Sequence, residues 1–456
     1  MDTQSNIKNN TDYTLFSWSK QSGLNPIHVT KADGIYFTDT DDKTYIDFSS
    51  QLMNVNIGHK HPEVNNAIKK QLESVAYVFP GMTTDVRGQL GKKLAEISPG
   101  TLKKSFFTNG GADAIENAIK MARMFTGREK IVTKYRSYHG SSYAAISAGG
   151  DPRKHAVSRD LSPGIVHVED PYCYRCPWGK KQESCDYECA SHVERIINFE
   201  GPENVAAILM EGESGSSGCI KYPPDYWTKL REIADKYGIL LISDEVMSGF
   251  GRCGKWFAVE NHGVIPDMIV MAKGLSSGYI PIGAVLVSEK IASFFDDTPL
   301  MLGLTYSAHA LACASALATI KVYEDENLLN QSEVLGHYIN DRIEELKNIH
   351  PSIGDYRYTG LLGCIELVKN KETKEPMVPW NATPEEMTIM NKVTSKLREL
   401  GLFTFVRWNW IFIAPPLTIT KSQIDVALSI ISKAISEVDI YVERKDSVQL
   451  EAPYAL

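Results

Sequence analysis

The sequence predicts an α/β fold with a mostly parallel, helix-covered sheet, and three observations carry that prediction. Short unbroken apolar runs, such as Gly238 to Ser243 and Met268 to Ala272, have the length of strands buried on both faces. Segments of helical period alternate with them: Trp227, Leu230, Ile233 and Ala234 share a face, and Gly238 follows as a stop. Phe106-Phe107-Thr108 runs through Asn109-Gly110-Gly111 into a helix from Ala112, on which Ile115, Ala118, Ile119 and Ala122 share a face up to Gly127. Strands and helices in alternation argue for a parallel sheet covered by helices.

In chain order, residues 1–60 read as an N-terminal segment with a short β region. There, Gly34 to Phe37 and Lys43 to Phe48 flank a turn at Asp39 to Asp42. Residues 61–325 carry the strand–helix alternation and form the large unit. Residues 326–456 read as helix, strands, helix, with capping-box starts at Thr383-Pro384-Glu385-Glu386 and Thr420-Lys421-Ser422-Gln423. No internal repeat or low-complexity linker separates these parts.

Composition excludes several classes. The 456 residues suffice for two or three domains, and 43% apolar residues suffice for a substantial core. The net charge of −8 comes without any basic block or stripe, so nucleic acid is not an expected partner. Met1 to Asn10 is polar, and no uninterrupted apolar stretch reaches the roughly 18 residues a bilayer span requires. A cytoplasmic location is expected, where the sequons at Asn9, Asn330 and Asn381 are without consequence.

The chemistry starts at Lys273, which ends the run Met268 to Ala272 and precedes Gly274. An amine buried at a strand end loses charge and becomes a nucleophile for a carbonyl; the plain alternative is a lysine that caps the strand and reaches solvent. Asp244 ends the neighbouring run, with Glu245 beside it. A carboxylate there can hold a pyridine nitrogen in its protonated form and so keep the ring electron-withdrawing. The glycines at Gly110 and Gly111, between a strand and a helix N-terminus, make a phosphate cradle, or simply a tight turn. Gly249-Phe250-Gly251-Arg252-Cys253-Gly254 fits a dinucleotide-binding string, but no helix is predicted after it and the later acid is missing.

These segments, with Tyr138-His139-Gly140, Thr305-Tyr306-Ser307 and Pro415-Pro416-Leu417, resemble the class III (omega) aminotransferases, pyridoxal-phosphate enzymes of fold type I. The resemblance runs from about a quarter of the chain to near its end. It implies a small α+β domain built from both chain ends, and it implies roles. Lys273 would carry pyridoxal 5'-phosphate and shuttle the proton, while Asp244 would hold the pyridine nitrogen, with Glu211 supporting Asp244 from behind. Gly110, Gly111 and Ala112 would bind phosphate, Tyr138 would stack on the ring beside His139, and Val246 would pack on the other face. Thr305 would reach the phosphate of a neighbouring subunit, so a homodimer is implied.

Cys173, Cys176, Cys185 and Cys189 fall in one polar segment. Two close pairs could surround a metal, but the spacing between them is short for a zinc ribbon, so the expectation is reduced thiols and no metal. Arg407 matches the family arginine that grips a substrate's acid group, its planar fork suiting carboxylate or sulfonate. Ser216 stands where ornithine and gamma-aminobutyrate relatives place a gating glutamate, so no gate is expected. The segments Phe16 to Ser19 and Ser49 to His59 are most similar to taurine aminotransferases, with Met53 where many amine transaminases have tryptophan. Trp18 could wall the substrate and donate its N–H to a sulfonate oxygen, or simply pack. The expected reaction moves the amino group of taurine to 2-oxoglutarate, giving sulfoacetaldehyde and glutamate. Pyruvate as acceptor, another omega-amine as donor, or an aminomutase or epimerase are the alternatives.

Overall fold

The computed structural model describes residues 3–157 and 162–443. Its centre is a seven-stranded sheet in the order Leu102–Thr108, Gly283–Ser288, Met268–Met271, Leu240–Asp244, Val205–Glu211, Lys130–Lys134, Ile165–Val168. Gly283–Ser288 runs antiparallel to both its neighbours, and the remaining pairs are parallel. The unbroken apolar runs have the expected cause. Leu240 and Ile242 pack in one core with Ile115, Ala118 and Ile119 of helix Gly111–Thr126, while Leu241 faces a second core with Trp227 and Leu230 of helix Tyr226–Tyr237. A strand covered on both faces cannot alternate polar with apolar.

Both helices end where the sequence places a stop: Gly127 and Gly238 take φ of 67° and 60°, a left-handed conformation that costs glycine little. The dinucleotide-like string leads only into a 3-10 turn at Ala258–His262.

Two smaller sheets join sequence-distant segments. The N-terminal strands Val29–Asp33, Tyr36–Asp39 and Thr44–Asp47 are antiparallel, and Leu402–Phe403 adds to them in parallel. Ile353–Thr359, Leu362–Leu367, Trp410–Ile413 and Val406–Arg407 form an antiparallel sheet. Buried Arg252 fastens these parts together, donating to the carbonyls of Leu361 and Pro415 and to Ser50 Oγ and Asn56 Oδ1. Thr420 and Gln423 form the expected capping box ahead of helix Lys421–Asp439. Thr383 and Glu386 exchange the same reciprocal bonds, yet the regular helix starts only at Thr388, so this box closes a turn ahead of the helix.

The cysteine segment is tied down rather than loose. Arg175 Nε donates to Glu366 Oε1 at 2.6 Å, and Cys189 is buried on helix Glu188–Glu200. The four thiols line one small cavity, and they are free. Among the described residues no group of three His, Cys, Asp or Glu is disposed to hold a metal, and no helix is long and apolar enough to cross a membrane.

Candidate active site

Lys273 stands just past the strand Met268–Met271 with φ 42°. Left-handed backbone costs a residue bearing a Cβ about 1–2 kcal/mol, and a tight turn over-determines it here. Leu275 N–H donates to Ala272 O at 2.9 Å, and Tyr323 Oη to Gly274 O at 2.7 Å. Burial pushes the Lys273 amine down to about 8, against Asp244 and Glu211, which favour its charge.

Asp244 ends the adjacent strand and is 3% exposed. Its Oδ1 accepts the N–H of Val246 at 2.9 Å, and its Oδ2 lies 2.6 Å from His139 Nδ1. Because an ionised carboxylate only accepts, the proton belongs on Nδ1; Nε2 is 3.3 Å from Thr133 Oγ1. Each oxygen keeps a lone pair for a further donor. Glu245 does different work: it accepts from Ser243 and Ser248 hydroxyls and from the N–H groups of Ala258 and Val259. Burial pushes Glu245 up to about 7.

Glu211 is the register partner of Asp244 on the next strand, but it does not support Asp244 as expected. Its Oε2 takes Lys134 Nζ at 2.6 Å in a buried pair, and its Oε1 takes Tyr138 N–H at 3.4 Å. A buried lysine demands its own counter-ion, so His139 is left as the side chain that bonds Asp244.

Lys273, Asp244, Glu211, Tyr138, His139 and Val246 line one cavity of about 410 Å³ together with Gly110, Gly111 and Ala112. Gly111 opens its helix where a Cβ would come within 2.8 Å of Val246 Cγ1, so glycine is needed for the backbone to reach the cavity wall. The free N–H groups of that helix end suit a phosphate. An amine whose burial eases loss of its proton, a carboxylate able to take a ring N–H and an anion cradle on one cavity fit pyridoxal phosphate. Thr305 is exposed and lies outside this cavity; its carbonyl accepts from Tyr77 Oη at 2.8 Å.

An adjoining cavity of about 230 Å³ shares Lys273, Tyr138 and Trp18 and adds Met53, Arg153 and Arg407. Met53 is buried, and Trp18 is 61% exposed. Arg407 is nevertheless covered by an acid, which comes from a part of the chain other than the Ser216 position. Ser216 offers only its carbonyl, 3.4 Å from Arg407 Nη1, but Asp151 Oδ2 accepts from Arg407 Nη2 at 2.7 Å. Arg153 binds the same carboxylate and lies over Tyr138, its Cζ 4.2 Å from the ring centroid. Burial raises the Asp151 carboxyl, yet Arg153 and Arg407 outweigh it and leave the group below its ordinary range. Neither Asp151 nor Arg153 stood out in the sequence, because they sit in an irregular polar loop with no periodicity or motif.

The chain matches the model of the family described as aminotransferase class-III over residues 18–435. A taurine:2-oxoglutarate aminotransferase from Bifidobacterium kashiwanohense, solved with PLP and glutamate, is 40% identical, with a TM-score of 0.93 over 97% of this chain and 99% of that one. An (S)-enantioselective omega-transaminase from Thermomicrobium roseum is 34% identical, with a TM-score of 0.90 over 96% of this chain and 99% of that one. A leucine/methionine racemase from Thermococcus litoralis is 38% identical over 91% of both chains. The chain described here belongs to the class III aminotransferases and is a pyridoxal-phosphate enzyme.

Proposed function

We propose that this aminotransferase moves the amino group of taurine to 2-oxoglutarate, giving sulfoacetaldehyde and L-glutamate in two alternating half-reactions. The observation that carries the reading is the placement of Arg407 and Arg153 on the cavity that Lys273 shares, with Trp18 at its edge. Guanidiniums beside the reactive amine fix an acid group while leaving the other end of a short substrate at Lys273. The likeness to a taurine:2-oxoglutarate aminotransferase supports the same choice.

Bound pyridoxal phosphate supplies an aldehyde to take the amino group and a ring to withdraw electrons. Each side chain has a part around it. Gly110, Gly111 and Ala112 hold phosphate at the helix end, joined by Thr305 of the partner subunit in a homodimer. Asp244, fixed by His139 and the Val246 N–H, keeps a proton on the ring nitrogen. Tyr138 and Val246 pack on the ring. The Lys273 amine, pushed down to about 8, is partly uncharged near neutral pH and moves the proton at Nζ.

The likeness to a racemase favours a second reading, in which an amino acid changes configuration without any acceptor. One experiment separates the two. With no oxo acid present, taurine should bleach the visible absorbance of the purified enzyme, and 2-oxoglutarate should restore it; pyruvate acting faster would shift the acceptor. Faster bleaching by β-alanine or a simple aliphatic amine would remove taurine as the donor. An enzyme that inverts leucine with no oxo acid present, and that no amine bleaches, would establish the racemase.

A further inference from the structure

We propose that Asp151 is an internal stand-in for a substrate's acid group. It occupies Arg407 while the cavity holds no anion, and yields Arg407 to an incoming sulfonate or carboxylate while Arg153 keeps hold of it. The inference rests on the reading above, since it takes Arg407 as the group that grips the acid.

The bonding is unequal in the way such an exchange requires. Arg153 holds Asp151 from both ends of its carboxylate: the backbone N–H and Nε donate to Oδ1 at 3.0 and 2.8 Å, and Nη2 donates to Oδ2 at 3.1 Å. Arg407 has a single bond to it, from Nη2 at 2.7 Å. The Arg153 guanidinium is fixed in turn over Tyr138 and Trp18, with its Cζ 4.2 and 5.2 Å from their ring centroids. Arg407 presents several N–H donors, and its further bond to the Ser216 carbonyl is long at 3.4 Å.

Burial and charge give the exchange its direction. The Asp151 side chain is 4% exposed and that of Arg407 is 13% exposed, so neither ion tolerates being left without a partner. Two guanidiniums on one carboxylate leave one positive charge uncompensated. One substrate anion completes a second pair, Arg407 with the anion beside Arg153 with Asp151. An amine without an acid group displaces nothing, and Arg407 stays satisfied. Asp151 is therefore a positioning residue: it acts through Arg407 and sets the choice between acidic and neutral amines.

The test uses the cofactor-loaded enzyme and isethionate, which carries taurine's sulfonate but no amine. In Asp151→Asn the competing carboxylate is gone, so calorimetry should show isethionate binding about tenfold tighter, the scale of one charge-assisted hydrogen bond. The KM for taurine should fall while that for propylamine rises, a crossover that mere damage to the loop would not produce. Unchanged or weaker isethionate binding in Asp151→Asn, alongside weakened binding in Arg407→Ala, would overturn the exchange and leave the acid grip standing. Undiminished binding in Arg407→Ala would sink the acid grip itself. Should Asp151→Asn fail to fold, a crystal structure of the wild type with isethionate decides. The Arg407 bond to Asp151 must be broken there and the Arg153 bonds kept; an intact Arg407–Asp151 bond beside bound anion refutes the proposal.

Discussion

His139 Nδ1 lies 2.6 Å from Asp244 Oδ2, and both side chains are closed off from solvent. The imidazole fixes the carboxylate's direction without using up its charge, and that charge is what can hold a proton on a pyridine nitrogen. Asp244→Asn therefore removes the charge while keeping the shape. It should retain cofactor but lower kcat by orders of magnitude, whereas His139→Ala, which leaves the carboxylate in place, should cost about 10- to 150-fold. Steady-state kinetics beside a cofactor titration separate these outcomes; equal losses in the two variants would refute the division of roles.

Lys273 ties chemistry to stability. Its amine is pushed from an ordinary 10.5 to about 8, so burying it costs about 3 kcal/mol below about pH 8, where both states would hold the proton. The folded state releases that proton near 8 and the unfolded state near 10.5, so stability from this group rises with pH between those values. Cofactor-free Lys273→Met should resist urea better than the wild type at pH 7, and the difference should shrink toward pH 10. It should also lose turnover entirely. Equal stability at pH 7 would show that the amine is not strained by burial.

Much of this arrangement was legible because each reactive group closes a local pattern. Lys273, Asp244 and the Gly110-Gly111 pair all sit where an apolar run meets a loop or a helix, and a strand's length is readable from its composition. What was not legible depends on long-range pairing. Asp151 meets Arg407 across 256 positions of chain, from a loop with no period. The partner of Glu211 turned out to be Lys134, whose demand for a counter-ion exists only once both are buried. Leu402–Phe403 is too short to announce itself, and only pairing with Thr44–Asp47 makes it a strand.

Glu245 shows why adjacent acids need separate treatment. Two hydroxyls and two backbone N–H groups donate to its carboxylate, which braces the turn at Ala258–His262 away from Asp244's partners. In Glu245→Gln one oxygen becomes an amide nitrogen facing donors. The cost should be about 1–3 kcal/mol, read as a lower urea midpoint with kcat little changed. A variant of wild-type stability would show that the brace is dispensable.

Thr305 is exposed on its own chain and stands outside its own cavity, as a residue that serves a neighbour would. Sedimentation at assay concentration should find an active dimer and no active monomer. Thr305→Ala should weaken cofactor binding without altering the sedimentation coefficient. A fully active monomer would remove the cross-subunit role.

Arg407 gives the sharpest test of the substrate. Taurine carries its amine two carbons from a sulfonate that stays ionised at any working pH, so fixing the anion at Arg407 leaves a short, defined reach to Lys273. An amine of similar length without an acid group gains nothing from that guanidinium. Arg407→Ala should therefore reduce kcat/KM for taurine by about 10- to 150-fold, the loss of a charge-assisted pair worth about 1.5–3 kcal/mol, and change that for propylamine far less. The effect should fall mainly on KM, because the same anchor holds the substrate before and during reaction. If both amines lose equally, Arg407 shapes the cavity instead of reading the acid, and the preference for taurine must come from elsewhere.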